Sequence, residues 1–201
     1  MVSILNAQTK VSFEKTKWTE LKFSNFSPNK VEYSSDSIKV IVASSASPLV
    51  YKLDQIVDVG NFEVSLNIKG SIPESKEFEE DSYFRLGFVV LGDKHLGSIA
   101  KFFAPKWAQE LFKLAPEGAG LDKIYFYNIG TSKNHLDKER INPRSEYMYE
   151  KIIAIKDSES MEIKYTLAKS LKTAALWISI DGDTTSSKFT TEIKSIKLNP
   201  L

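Results

Sequence analysis

Along most of this chain the hydrophobic positions recur every second residue. Between Ser37 and Ala43 they are Ile38, Val40 and Val42. Between Asn61 and Gly70, Phe62, Val64, Leu66 and Ile68 alternate with Glu63, Ser65 and Asn67. Phe84, Leu86, Phe88 and Val90 oppose Tyr83, Arg85, Gly87 and Val89, while Ile124 and Phe126 oppose Tyr125 and Tyr127. Near the C-terminus Leu176, Ile178 and Ile180 oppose Trp177, Ser179 and Asp181. A period of two predicts strands with one face on a core and the other toward solvent. The stretches "SPLVYKL", "YMYEKIIAI", "MEIKYTL" and "FTTEIKSIKL" complete a set of about nine strands, at the spacing of a β-sandwich. In the last of them Phe189, Ile193, Ile196 and Leu198 do not keep one parity, which predicts a bulge.

One segment, Gly97 to Gly120, has a different rhythm. Trp107, Ala108, Leu111, Phe112 and Ala115 follow helical spacing; Pro105 stands where it opens a helix, and Pro116, Gly118 and Gly120 end it. The expected fold is all-β: a two-sheet antiparallel jelly-roll-like sandwich with a short helical insertion near 97–120. It is read as one domain over residues 1–201, with residues 1–10 as a flexible arm. The helix is expected to cover a sheet edge or one end of the sandwich. Its alternative role is a lid over a binding face.

Composition narrows the function classes. With 42% hydrophobic residues in 201, the chain can build a packed core, so disorder is not expected. Its 27 basic and 26 acidic residues leave a net charge of +1, which is not the footprint of a nucleic-acid binder. No cysteine is present, which removes disulfides, thiolate metal sites and cysteine nucleophiles. Two histidines, His95 and His135, stand alone in polar loops without a second histidine at ligand spacing. No apolar run is long enough for a transmembrane helix, and "MVSILNAQTKVSF" lacks the charged start of an intact signal peptide. Two readings follow: a cytoplasmic protein, or a mature form in which Met1 replaces a removed leader.

If each aliphatic parity builds the core, the opposite parities gather Tyr83, Arg85, Tyr125, Tyr127, Trp177, Ser179 and Asp181. Flat rings beside oriented polar groups are what a glycan or other polar polymer requires, so these seven are the candidate ligand-binding residues. The run "IDGDTT" reads three ways: as a turn, as an organic-ligand contact, or as a calcium site on Asp181 and Asp183. It lacks the glycine and glutamate positions of a twelve-residue EF-hand loop. Upstream, Glu79, Glu80 and Asp81 precede Arg85, which suits a structural ion pair or an acidic ligand. Among the carboxylates, Glu63, Asp81 and Asp181 are the catalytic candidates for a polysaccharide-acting enzyme. Arg140 and Arg144 stand in a long polar loop and suit anion contacts. A structural or protein-interaction domain is a further alternative, marked by an exposed apolar patch around Trp107 and Phe112.

The order of these pieces resembles a bacterial family, domain-of-unknown-function family 3047. A "SPLVYKL" strand, the "EDSYFR" and "IYFYN" segments, and the terminal "WISIDGDTT" follow one another over nearly all of the chain from about Trp18 onward. The chain departs from that pattern at Glu80, which replaces the first acid, at Tyr127 for tryptophan, and at Thr184 for asparagine. The resemblance implies a jelly-roll β-sandwich, a periplasmic or secreted location, and no established activity; glycan binding follows only by analogy of fold. The function expected is a non-catalytic binding module of the bacterial envelope.

Overall fold

The computed structural model describes residues 4–5, 8–23, 25–75, 78, 80–95, 106–143 and 145–200. Its strands are β1 (Ile4–Leu5), β2 (Thr9–Lys10), β3 (Trp18–Glu20), β4 (Lys30–Tyr33), β5 (Ile38–Ala43) and β6 (Leu49–Ser71). Then come β7 (Ser82–Gly92), the helix α1 (Lys106–Phe112), β8 (Gly120–Gly130), β9 (Glu139–Ile141) and β10 (Met148–Ile155). The chain finishes with β11 (Ser160–Asp181) and β12 (Lys188–Asn199).

Two strands are long enough to serve both layers. β6 has 23 residues and β11 has 22, and they pair antiparallel along most of their length. The ladder breaks where Thr166 faces Asn61 and Leu171 faces Val59, so residues 167–170 stand opposite Gly60 alone. There the sheet folds over. The C-terminal half of β6 joins β12, β5 and β4 in one layer. Its N-terminal half joins β3, the end of β11, and then β7, β8, β10 and β9 in the other. The fold is thus an all-β sandwich made from one hydrogen-bonded sheet. Pairing is antiparallel except for β1 with β6 and β8 with β10. The stretches "SPLVYKL" and "NFEVSLNIKG" read as two strands in the sequence, and here they are one continuous strand.

The core fills the space between the layers. Phe62 of the first layer lies 5.4 Å from Phe88 and 5.6 Å from Tyr127 of the second, ring centroid to ring centroid. Both Ile193 and Ile196 are fully buried because β12 shifts register between Ile193 and Ser195, the expected bulge. The N-terminal segment takes part as well: β2 pairs with β12, and Val11 and Phe13 enter the core.

A second apolar cluster lies outside the sandwich. Helix α1 covers the outer face of the second layer, where Leu111 packs with Val50, Val89, Ile124 and Ala175. The insertion therefore caps a sheet face, and residues 97–105 of the expected span lie outside the described residues.

A candidate binding cleft on the outer face

Helix α1 covers only part of that outer face, and a cleft opens beside it. Register defines its floor. Trp177 of β11 stands opposite Gly87 of β7, Gly87 opposite Phe126 of β8, Phe126 opposite Glu150 of β10, and Glu150 opposite Arg140 of β9. The neighbouring row sets Ser179 opposite Arg85. Gly87 is required here: a Cβ at this position would stand 2.6 Å from the Phe126 ring and 2.7 Å from Ile124. Its bare backbone lets the rings of the floor close over it.

The cleft has a volume of about 400 Å3. Its walls are Trp107 from α1, Phe23 and Phe26 from the loop after β3, Asn142, Pro143 and Ser145 from the β9–β10 turn, Met148 at the start of β10, and Asp183 and Thr184 beyond β11. Phe26 is 43% exposed at the rim, with its ring edge-on to Phe23 at 6.1 Å. A buried network anchors this loop. Asn29 donates to the Ile180 carbonyl at 2.8 Å and accepts from the Ser45 hydroxyl at 2.6 Å, and its own N–H is bound by Ser47 Oγ.

Two ion pairs are set into the aromatic surface. Arg85 Nη1 lies 2.7 Å from Asp181 Oδ2, with both side chains nearly buried, and Arg85 also donates to the Glu80 carbonyl. The Ser179 hydroxyl donates to the Asp181 carboxylate at 2.9 Å. Burial pushes the Asp181 carboxyl up to about 6; Arg85 and Ser179 oppose that rise, and Asp183 and Asp81 add to it. Arg140 Nε lies 2.7 Å from Glu150 Oε2, and the Arg140 guanidinium lies over the Phe78 ring at 4.0 Å. Each guanidinium is thus held flat and oriented by a carboxylate.

Asp81 has a structural task. Its carboxylate accepts from the N–H groups of Thr184 and Thr185 and from the Thr185 hydroxyl, at 3.2, 2.7 and 2.6 Å, fixing the β11–β12 turn. "DGDTT" is therefore a turn whose entry, Asp181, belongs to the cleft. For calcium, which needs six or more oxygens, the donor set is thin. Asp181 is engaged by Arg85, and among the described residues no group of three or more His, Cys, Asp and Glu is placed to hold a metal ion.

Of the seven predicted ligand-binding residues, Arg85, Trp177, Ser179 and Asp181 line the cleft. The three tyrosines do not. Tyr83 is 4% exposed and packs in the core against Phe189, with its hydroxyl accepting from the Ile72 N–H at 2.7 Å. The register step between Ser179–Arg85 and Asp181–Ser82 inserts an extra residue in β7, and that bulge turns the ring inward. Tyr127 and Tyr125 pair with Leu86 and Phe88 on the core-facing side of the sheet. Tyr127 is buried among Phe62, Phe88 and Tyr165, and Tyr125 rests against Tyr149. In β8 the parity is thus the reverse of the one expected from the sequence, and Phe126 is the ring that faces the cleft.

Glu63 also stands elsewhere. It lies on the outer face of the first layer, bridged to Lys164 and Lys197 at 3.4 and 3.5 Å, so it shares no groove with Asp181. Arg144 and Glu79 lie outside the described residues. Cleft residues that the alternation did not reveal are Phe23, Phe26, Phe126, Arg140 and Glu150. Two of them left a trace: Phe26 is a large ring in a polar loop, and Glu150 is an acid on the parity of Met148 and Ile152.

No protein-family model and no curated protein matches the chain. Solved structures similar to it include a family 11 carbohydrate-binding module from Clostridium thermocellum, in complex with a β-1,3-1,4-mixed-linked tetrasaccharide. That module is 9% identical, with 98% of each chain covered and a TM-score of 0.44. The xylan-binding module CBM15 is 13% identical, covering 98% of this chain and 99% of its own, at 0.42. The exoplasmic/lumenal domain of VIP36 in its Ca2+/Man3GlcNAc-bound form is 10% identical, covering 96% and 88%, at 0.44. Likeness at this level assigns neither family nor ligand to the chain. Among the described residues, no helix is long and apolar enough to cross a membrane.

Proposed function

We propose that this chain is a non-catalytic binding domain that takes a neutral, hydroxyl-rich ligand, a glycan segment, in the outer-face cleft. The observation that carries this reading is the cleft's composition: the accessible rings of Phe23, Phe26 and Trp107 stand over a closely packed floor of Phe126 and Trp177, beside the ion pairs Arg85–Asp181 and Arg140–Glu150. Rings supply flat apolar faces for the C–H side of a sugar. Arg85 and Arg140 are each paired with an acid, and Glu80 and Asp183 add two more carboxylates to the lining, so no positive excess selects an anion, while carboxylate lone pairs suit ligand hydroxyls. The test is a binding screen against neutral oligosaccharides by calorimetry. Saturable binding that Phe26→Ala weakens supports the proposal, and absence of binding across glucose-, xylose- and mannose-based oligomers refutes it.

A raised carboxyl in a cleft also suits a general acid, which favours a hydrolase as the second reading. Here, however, Asp181 and Glu150, the buried acids of the cleft, each hold an arginine. Release of reducing ends from the same oligomers, abolished by Asp181→Asn, would decide for the enzyme. An exported location, implied by the resemblance to family 3047, belongs to this proposal and is tested by fractionating cells that express the natural gene.

A further inference from the structure

The cleft adjoins two further hollows. One, of about 420 Å3, lies between the chain leaving β6 (Ile72, Pro73, Ser75), Phe78, Thr131 after β8, and the Thr184–Thr185 turn. It shares Glu80, Arg140, Pro143 and Thr184 with the cleft. Arg140 stands at their junction, with Nε on Glu150 in the cleft floor and its guanidinium over Phe78 in the neighbouring hollow. A smaller hollow of about 200 Å3 shares a different part of the cleft wall, Phe23 and Trp107. The cleft therefore adjoins both hollows, through different residues of its lining.

Resting on the reading of the cleft as a glycan site, we infer that the cleft and the hollow beyond Arg140 are one groove holding consecutive units of a linear neutral polysaccharide. On this view the Phe78–Arg140 stack forms a second subsite. Each of the two larger hollows alone has the size of a small-ligand site, so a compact ligand would fill one and leave the other in water. An extended chain fills both. Their linings suit the same chemistry: Thr184 brings a hydroxyl to both, and Phe78 brings a ring beside a planar cation. In the lining of the two larger hollows Glu80, Asp81, Glu150, Asp181 and Asp183 outnumber Arg85 and Arg140, which argues against a polyanion.

The experiment is calorimetry with the best-binding neutral oligosaccharide series, in lengths of two, four and six units. The subjects are the natural chain and two separate variants that plug the second hollow from its rim, Ser75→Trp and Pro73→Trp, each checked for native circular dichroism. We expect affinity to rise about tenfold or more from two units to six, on the scale where 1.4 kcal/mol is a factor of ten. A folded plug variant should lose that gain while keeping its affinity for the two-unit ligand. Binding that is independent of length, or a gain that survives both plugs, overturns the groove and leaves the cleft as a single site. No binding at any length overturns the glycan reading and the groove with it.

Discussion

Removing one member of the Arg85–Asp181 pair should not cost the same as removing the other. The pair is 2.7 Å apart, and its side chains are 12% and 9% exposed. Even with Arg85 beside it, burial leaves the Asp181 carboxyl near 6 instead of 3.8, a penalty on its charged form on the order of 3 kcal/mol. Asp181→Asn deletes that charge, keeps the shape and still accepts from Ser179, while Arg85 retains the Glu80 carbonyl. It should cost no more than about 1–2 kcal/mol at pH 7. Arg85→Met removes the cation that offsets burial, drives Asp181 further toward its protonated form, and should cost about 3–5 kcal/mol. The pH dependence follows with a definite sign. A carboxyl whose folded pKa is raised binds its proton more readily in the native state, so its contribution is largest below about pH 4 and is lost as pH rises through 6. The gap between the natural chain and Asp181→Asn should therefore narrow from pH 4 to pH 7. Urea unfolding of the three proteins over that range is the assay. An Asp181→Asn loss as large as that of Arg85→Met at pH 7, or a gap that widens with pH, would refute this account of the pair.

Three further outcomes are expected. Phe62→Ala, which removes the ring joining the two layers, should lower unfolding stability by about 3–5 kcal/mol in urea melts. Gly87→Ala places a methyl group against Phe126 and Ile124, so it should cost about 1–3 kcal/mol and weaken ligand binding by displacing the cleft floor; an unchanged melt would contradict the packing described. Phe26→Ala, at an exposed rim position, should leave stability within about 0.5 kcal/mol while weakening glycan binding severalfold by calorimetry.

The sandwich was legible because its core strands follow a period of two, and even the β12 bulge showed in the spacing of Ile193 and Ile196. The fusion of β6 and of β11 into single bent strands was not, since the core parity switches along each of them, from Val57 and Val59 to Phe62 and Val64 and from Leu171 to Leu176, and such a switch reads as a break between two strands. Half of the cleft was legible for a similar reason. Leu176, Ile178 and Ile180 mark the core face of β11 without ambiguity, so Trp177, Ser179 and Asp181 had to face outward. β8 gave no such mark. Helix α1 lays an apolar cover on the outer face, so Ile124 and Phe126 are buried there while Tyr125 and Tyr127 turn toward the sandwich core. With apolar surroundings on both sides, polarity along the strand does not tell inside from outside. Only the pairing with Gly87 and Leu86 decides it.

The chain has three tryptophans, and their indole N–H signals in a two-dimensional proton–nitrogen NMR spectrum test the cleft directly. Trp107 and Trp177 line it, whereas Trp18 faces the core side of the sheet beside Tyr51, with its indole donating to the Ser12 carbonyl at 2.8 Å. Titration with a neutral oligosaccharide should shift the Trp107 and Trp177 signals and leave Trp18 in place. Movement of Trp18 alone, or no movement of any indole at millimolar ligand, would contradict the assignment of the outer-face cleft as a glycan site.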